Sequence, residues 1–123
     1  MLQKADVLVV VPAFNEAASI AQVLSDIRSN GFDALVVDDG STDSTAVIAR
    51  ESQASVVSLP LNSGVGGALR CGFRYAVENG YSAIIQCDAD GQHLSQHLDD
   101  LLQASNASAA HMVIGSRFRS AQN

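Results

Sequence analysis

The chain has 123 residues, enough for one domain to bury a single hydrophobic core. Hydrophobic residues make up 47% and charged residues 16%, a balance that excludes a disordered segment and fits a folded α/β chain. The formal net charge of -6 argues against a nucleic-acid backbone or an anionic membrane as a partner for the surface as a whole.

No apolar run reaches the roughly 20 residues that span a bilayer, and no signal-peptide pattern precedes the first predicted strand. Cys71 and Cys87 lie apart with no metal-ligand spacing around them. Reduced, buried thiols in a cytoplasmic protein are the expectation.

Strand-like and helix-like stretches then alternate. Val7 to Val11 is a β-branched run that Pro12 is expected to stop. Ile20, Val23, Leu24 and Ile27 form the stripe of an amphipathic helix, ended by Gly31. Leu35 to Val37 is a second strand closing on Asp38-Asp39-Gly40-Ser41, and Ser41 or Thr42 is expected to cap a helix running to about Ser52. Val56 to Leu59 is a third strand.

After a glycine-rich turn at Gly64 to Gly67, Leu69, Gly72, Phe73, Ala76 and Val77 repeat the helical stripe and Gly80 closes it. Ala83 to Cys87 is a fourth strand ending at Asp88. Leu98, Leu101 and Leu102 mark a fourth helix, and Met112 to Ile114 a fifth strand. Continuous apolar strands separated by amphipathic helices predict one α/β domain, a mostly parallel sheet of about five strands with helices on both faces. The polar segments after strands one, two and four fall at strand carboxyl ends, the edge along which open α/β sheets bind ligands.

Two carboxylates in Asp88-Ala89-Asp90 can approach one point just past a buried strand. They repel unless a cation or donors compensate. A hard divalent ion is a natural partner for such oxygen ligands, and an acidic turn with a helix cap is the plainer account. An EF-hand loop is excluded by Gln92 and His93. Of the adjacent Asp38 and Asp39, alternation lets one face the ligand crevice while the other faces away or caps. A carboxylate at that depth suits the N–H and O–H groups of a nucleobase or a sugar. Asn15 is placed to cap the helix after Pro12-Ala13-Phe14-Asn15-Glu16, and Glu16 suits its first turn.

Gly64-Val65-Gly66-Gly67 is a poor dinucleotide fingerprint, because it follows the third strand and Leu69 stands at the last position. His93 and His97 lack the intervening Glu of a zinc helix. Arg117, after the fifth strand, is the best-placed cation for a phosphate oxygen, ahead of Arg119 and Arg70.

Taken in order, four segments resemble the family 2 glycosyltransferases: Val9 to Glu16, Val36 to Asp43, Asn62 to Ala68, and Asp88 to His93. Within that family they are most similar to the branch of dolichyl-phosphate mannose synthase and polyprenyl-phosphate sugar transferases, whose fifth-strand segment Ile114 to Phe118 also resembles. The resemblance implies a Rossmann-like GT-A fold, a UDP- or GDP-linked sugar donor, Mg or Mn on the Asp-x-Asp pair, and inversion at the sugar carbon. It implies that Pro12, Phe14 and Glu16 line the nucleoside site, that Val37 and Asp39 meet base or ribose, and that Asp38 supports the turn. Asp88, Ala89 and Asp90 would face the diphosphate and metal, with Asp90 the more direct ligand, and Arg117 would meet a phosphate.

Members of this family continue past the length of this chain. Residues 1–123 are therefore expected to be the nucleotide-sugar-binding portion, ending before the acceptor half and any acceptor base. The portion alone is expected to be inactive, and its cut sheet edge open to self-association. The acceptor implied is a lipid phosphate or a glycan, with the full-length protein at the cytoplasmic membrane. A non-catalytic nucleotide-binding or assembly module is the alternative. A sugar nucleotidyltransferase fits less well, because Pro12 to Glu16 supplies no basic, glycine-rich triphosphate loop.

Overall fold

The computed structural model describes residues 3–60 and 64–89. A short 3-10 turn at Lys4–Asp6 leads into β1 (Val7–Ala13), the central strand, followed by α1 (Ile20–Ser29), β2 (Asp33–Asp39) and α2 (Thr45–Glu51). Then come β3 (Ser55–Leu59), α3 (Gly64–Glu78) and β4 (Ala83–Gln86). All three strand pairings are parallel, in the order β3-β2-β1-β4.

The run of Val and Leu in β1 is buried on both faces, as the central strand of a covered parallel sheet requires. Its odd-numbered residues, Val7, Val9, Val11 and Ala13, pack with Ile20, Val23, Leu24 and Ile27 of α1 and Ala49 of α2. Leu8 and Val10 point the other way, into a core completed by Ala68 and Ala76 of α3. Each fully buried aliphatic side chain contributes about 1.5–3 kcal/mol, so the two-sided core supplies most of the drive to fold.

From β1 to β2 to β3 the chain steps in one direction with α1 and α2 on one face. It then returns to β4 on the far side of β1 with α3 on the opposite face. Reversing both direction and face keeps one crossover hand throughout. The strand order turns at β1 and β4, which opens a crevice past their carboxyl ends.

The element boundaries differ from the sequence expectations in three instructive places. Pro12 does not stop β1: it pairs in register with Val37, and the strand runs on to Ala13. The Val10 carbonyl accepts the Cys87 amide at 2.9 Å, so Pro12, two residues on, faces the same edge. There β4 has already ended at Gln86, and the missing N–H breaks no ladder. Gly64 to Gly67 is the first turn of α3 rather than a turn before it. And α2 begins at Thr45, beyond the predicted caps Ser41 and Thr42, which bond elsewhere.

Gly31 and Gly80, at φ +85 and +82, end α1 and α3 as expected. The described residues hold four strands, not five, and three helices; the predicted fourth helix and fifth strand lie outside them. Among the described residues no helix is long and apolar enough to cross a membrane.

Candidate functional site

At the carboxyl edge, β1, β2 and β4 deliver Phe14 to Glu16, Asp38 with Asp39, and Asp88. Phe14 is 43% exposed, a large ring standing free at the end of β1. Glu16 and Asp88 are half-buried, whereas Asp38 and Asp39 are 6% and 5% exposed.

The pleat sends the two adjacent carboxylates to opposite faces, and each meets a backbone amide. Asp38 Oδ1 accepts from Ser41 N at 3.1 Å and closes the Asp-Gly turn. Asp39 Oδ2 accepts from Gly64 N at 2.7 Å, where its charge also suits the N-terminal end of the α3 dipole. The alternation expected of the pair is present, and each carboxylate accepts a backbone amide. Val37 is fully buried in the core beneath α3, so any ligand contact it makes is through its main chain. Ala89 is buried too, and its carbonyl accepts the Ser19 hydroxyl, which ties the start of α1 to the end of β4. Pro12 is half-buried at the same edge.

The loops after β1 and β2 are joined by a set of hydrogen bonds that sequence reasoning missed. The amides of three consecutive residues are taken by side chains of the opposite loop: Asn15 N donates to Ser41 Oγ at 2.8 Å, Glu16 N to Thr45 Oγ1 at 2.8 Å, and Ala17 N to Asp43 Oδ2 at 3.2 Å. In return Thr42 N donates to Asn15 Oδ1 at 2.8 Å. Asn15 thus bridges loops instead of capping α1, in a left-handed conformation at φ 54 that Asn tolerates better than most residues. The Thr45 hydroxyl donates to Asp43 Oδ1, and this bond, with further amide bonds from Thr45 and Ala17, holds the Asp43 carboxyl below the usual carboxylate range. The one available signal was Ser41 to Thr45, five successive residues with side-chain oxygens, which also describes an ordinary helix cap.

Cys87 is buried next to Asp88, and burial followed by the neighbouring negative charge pushes its thiol up to about 12. It stays a protonated core residue, as expected; Cys71 is only half-buried, and both are free thiols. Among the described residues no group of three or more His, Cys, Asp or Glu side chains gathers as a metal cage. Asp90, Arg117, His93, His97 and Arg119 lie outside the described residues.

The profile of the family described as "Glycosyl transferase family 2" matches residues 8–123. The undecaprenyl-phosphate mannosyltransferase of Micrococcus luteus is 37% identical over 118 residues, covering 90% of this chain and 48% of that protein. The polyprenol monophosphomannose synthase of Mycolicibacterium smegmatis is 34% identical over 119 residues, covering 90% and 44%. The chain thus spans about half the length of the curated relatives it matches.

Among solved structures, glucosyl-3-phosphoglycerate synthase of Mycobacterium tuberculosis, crystallised with Mn2+ and UDP-glucose, superposes with a TM-score of 0.63 and 30% identity, covering 81% of this chain and 38% of that one. The fold is accordingly Rossmann-like, a parallel α/β sheet of the GT-A type. With the family profile spanning nearly all of its sequence and its strands ending in the same polar edge, this chain belongs to glycosyltransferase family 2.

Proposed function

We propose that residues 1–123 form the nucleotide-sugar-binding portion of a metal-dependent glycosyltransferase. The donor is a UDP- or GDP-linked sugar, and the full-length protein passes the sugar with inversion to a lipid phosphate such as polyprenyl phosphate, or to a glycan. The observation that carries this reading is the convergence at one edge. The two strands flanking the switch point end in Phe14 to Glu16 and Asp88, the adjacent β2 ends in Asp38 with Asp39, and the loops after β1 and β2 are bonded into one body. Pro12, Phe14 and Glu16, with Asp39 and the Val37 main chain, suit a nucleoside, while Asp38 holds the turn beneath it. Asp88, Ala89, Asp90 and Arg117 take the diphosphate.

An all-oxygen pair such as Asp88 and Asp90 suits a hard divalent ion, Mg or Mn, and leaves room for phosphate oxygens. Bound there, the ion would offset negative charge on the departing nucleoside diphosphate. The solved relative that holds Mn2+ with UDP-glucose supports the donor class, and the polyprenyl-phosphate relatives support the acceptor class. A lipid-phosphate acceptor is ionised already and needs little base assistance. It would also bring the full-length protein to the cytoplasmic membrane.

Titration calorimetry of the chain with UDP- and GDP-sugars, with and without Mn or Mg, tests the reading. Metal-enhanced binding of at least one donor is expected, and Asp90→Ala should abolish the metal-dependent gain. A folded chain that binds no nucleotide sugar under any of these conditions overturns the assignment.

A further inference from the structure

The bonds between the loops after β1 and β2 exceed what is needed to end a strand and start a helix. Thr45 is wholly buried, and its hydroxyl sits between two partners: it accepts the Glu16 amide at 2.8 Å and donates to Asp43 Oδ1. The other Asp43 oxygen takes the Ala17 amide at 3.2 Å, and Ser41 takes the Asn15 amide at 2.8 Å. Neither helix receives a side-chain cap from its N-cap residue, Ser19 or Ser44. Ser41, Asp43 and Thr45 all reach across the gap with side-chain oxygens, while Asp43 Oδ1 also accepts the Thr45 amide at the start of α2 at 2.9 Å.

The consequence is mechanical. Phe14 and Glu16 on one loop, and the turn held by Asp38 on the other, cannot shift independently while these bonds stand. A ligand gripped by both arms meets a preorganised clamp and loses less affinity to loop ordering.

We propose that Thr45 and Asp43 are positioning residues for the nucleoside arm of the site, acting through the Glu16 and Ala17 amides without touching ligand. This rests on the nucleotide-sugar reading above. It extends that reading by assigning donor affinity to a pair lying outside the residues that line the site. Thr45 rather than Ser44 or Thr42 is the keystone, since it alone bonds both the opposite loop and the Asp43 carboxylate.

The test compares the parent chain with Thr45→Val, Thr45→Ser and Asp43→Ala by calorimetry at a temperature where each is folded. The probes are UDP and GDP with Mn, and pyrophosphate with Mn. Thr45→Val keeps the volume and removes the hydroxyl. It should weaken the bound nucleoside diphosphate roughly tenfold, as expected for loss of a buried hydrogen bond. Manganese pyrophosphate should bind within twofold of the parent, and Thr45→Ser should restore nucleotide affinity to within twofold.

Asp43→Ala, at an exposed position, should reproduce the loss if Thr45→Val does not fold. Merely structural damage would weaken both probes together or act only on the melting temperature. That result, or nucleotide affinity unchanged in the folded variants, overturns the proposal. A parent chain that binds neither UDP nor GDP overturns the reading of the site itself, and this inference with it.

Discussion

A Cβ built on Gly72 in the middle of α3 would lie 2.6 Å from Cγ1 and 2.8 Å from Cγ2 of Val10 in β1, closer than any real side-chain contact. The bare backbone of Gly72 is therefore what lets α3 lie flat on the central strand. Val10 is fully buried and its Cβ is only 3.2 Å away, so turning the valine offers little relief.

Gly72→Ala should lower stability by about 1–3 kcal/mol through overpacking, despite the roughly 1 kcal/mol that alanine gains in helix propensity. Urea unfolding followed by circular dichroism measures this. Combining it with Val10→Ala should cost clearly less than the two changes summed, because the second removes the atoms the first strikes. Strict additivity would show that the contact is not the source of the cost.

Asp39→Ala should destabilise the chain by about 1–3 kcal/mol, since it leaves the Gly64 amide without the acceptor it now has at 2.7 Å. Asp39→Asn keeps an oxygen for that amide and should recover part of the loss while weakening the nucleotide binding proposed above. Denaturant midpoints and calorimetry together separate the two roles. Equal stability of Asp39→Ala and parent would remove the α3 anchor from the account.

Asn15 carries two demands at once, a left-handed backbone at φ 54 and an acceptor for the Thr42 amide. Asn15→Ala fails both and should cost about 1–2 kcal/mol. Asn15→Gly relieves the backbone and should recover only part of it. If glycine matched the parent, the bond across the loops would contribute nothing.

Burial raises the Cys87 thiol from 9.0 to about 12, and burial followed by the bond to Asp33 raises the Tyr81 hydroxyl from 10.0 to about 12. In each case the folded chain holds its proton more tightly than the unfolded chain. The associated stability is complete below pH 9 and is lost progressively as pH rises from about 9 towards 12. Urea midpoints measured from pH 8 to 11 should therefore fall, with the decline at the lower end smaller in Cys87→Ala than in the parent. At pH 8, Cys87 should also resist thiol reagents until the chain unfolds.

Asp43 works in the opposite direction. Its carboxyl is held low chiefly by the Thr45 hydroxyl, so the bonds it makes persist at neutral pH and loosen as pH falls below the ordinary carboxylate value of 3.8. Hydrogen exchange at the Ala17 amide should accelerate relative to neighbouring helix amides in that acid range. Exchange that stays uniform there would detach the Ala17 bond from the charge of Asp43.

The elements that bury a periodic face were readable along the chain. Ile20, Val23, Leu24 and Ile27 of α1 are all fully buried, and the valines of β1 lie where an unbroken apolar run must, inside a covered sheet. Gly31 and Gly80 marked helix ends because glycine takes the left-handed φ there without steric cost. The placing of the polar segments at one sheet edge was readable too, because a parallel sheet sends every strand's carboxyl end the same way.

What the sequence determined by itself was the α/β alternation, the buried strands and the family motifs, all carried by residues near one another in the chain. What only tertiary structure decided was the use of its polar side chains. Pro12 remained in a central strand because its neighbour ended first, Asp39 turned to α3 because of its parity in the pleat, and Thr45 became a keystone rather than a cap. The partners in the bonds between loops stand 26 to 29 residues apart, and the register of β1 on β2 alone brings them within hydrogen-bond reach. Burial preference repeats with a local period and can be read one element at a time. A hydrogen bond needs both partners within about 3 Å, a distance set only when the sheet has formed.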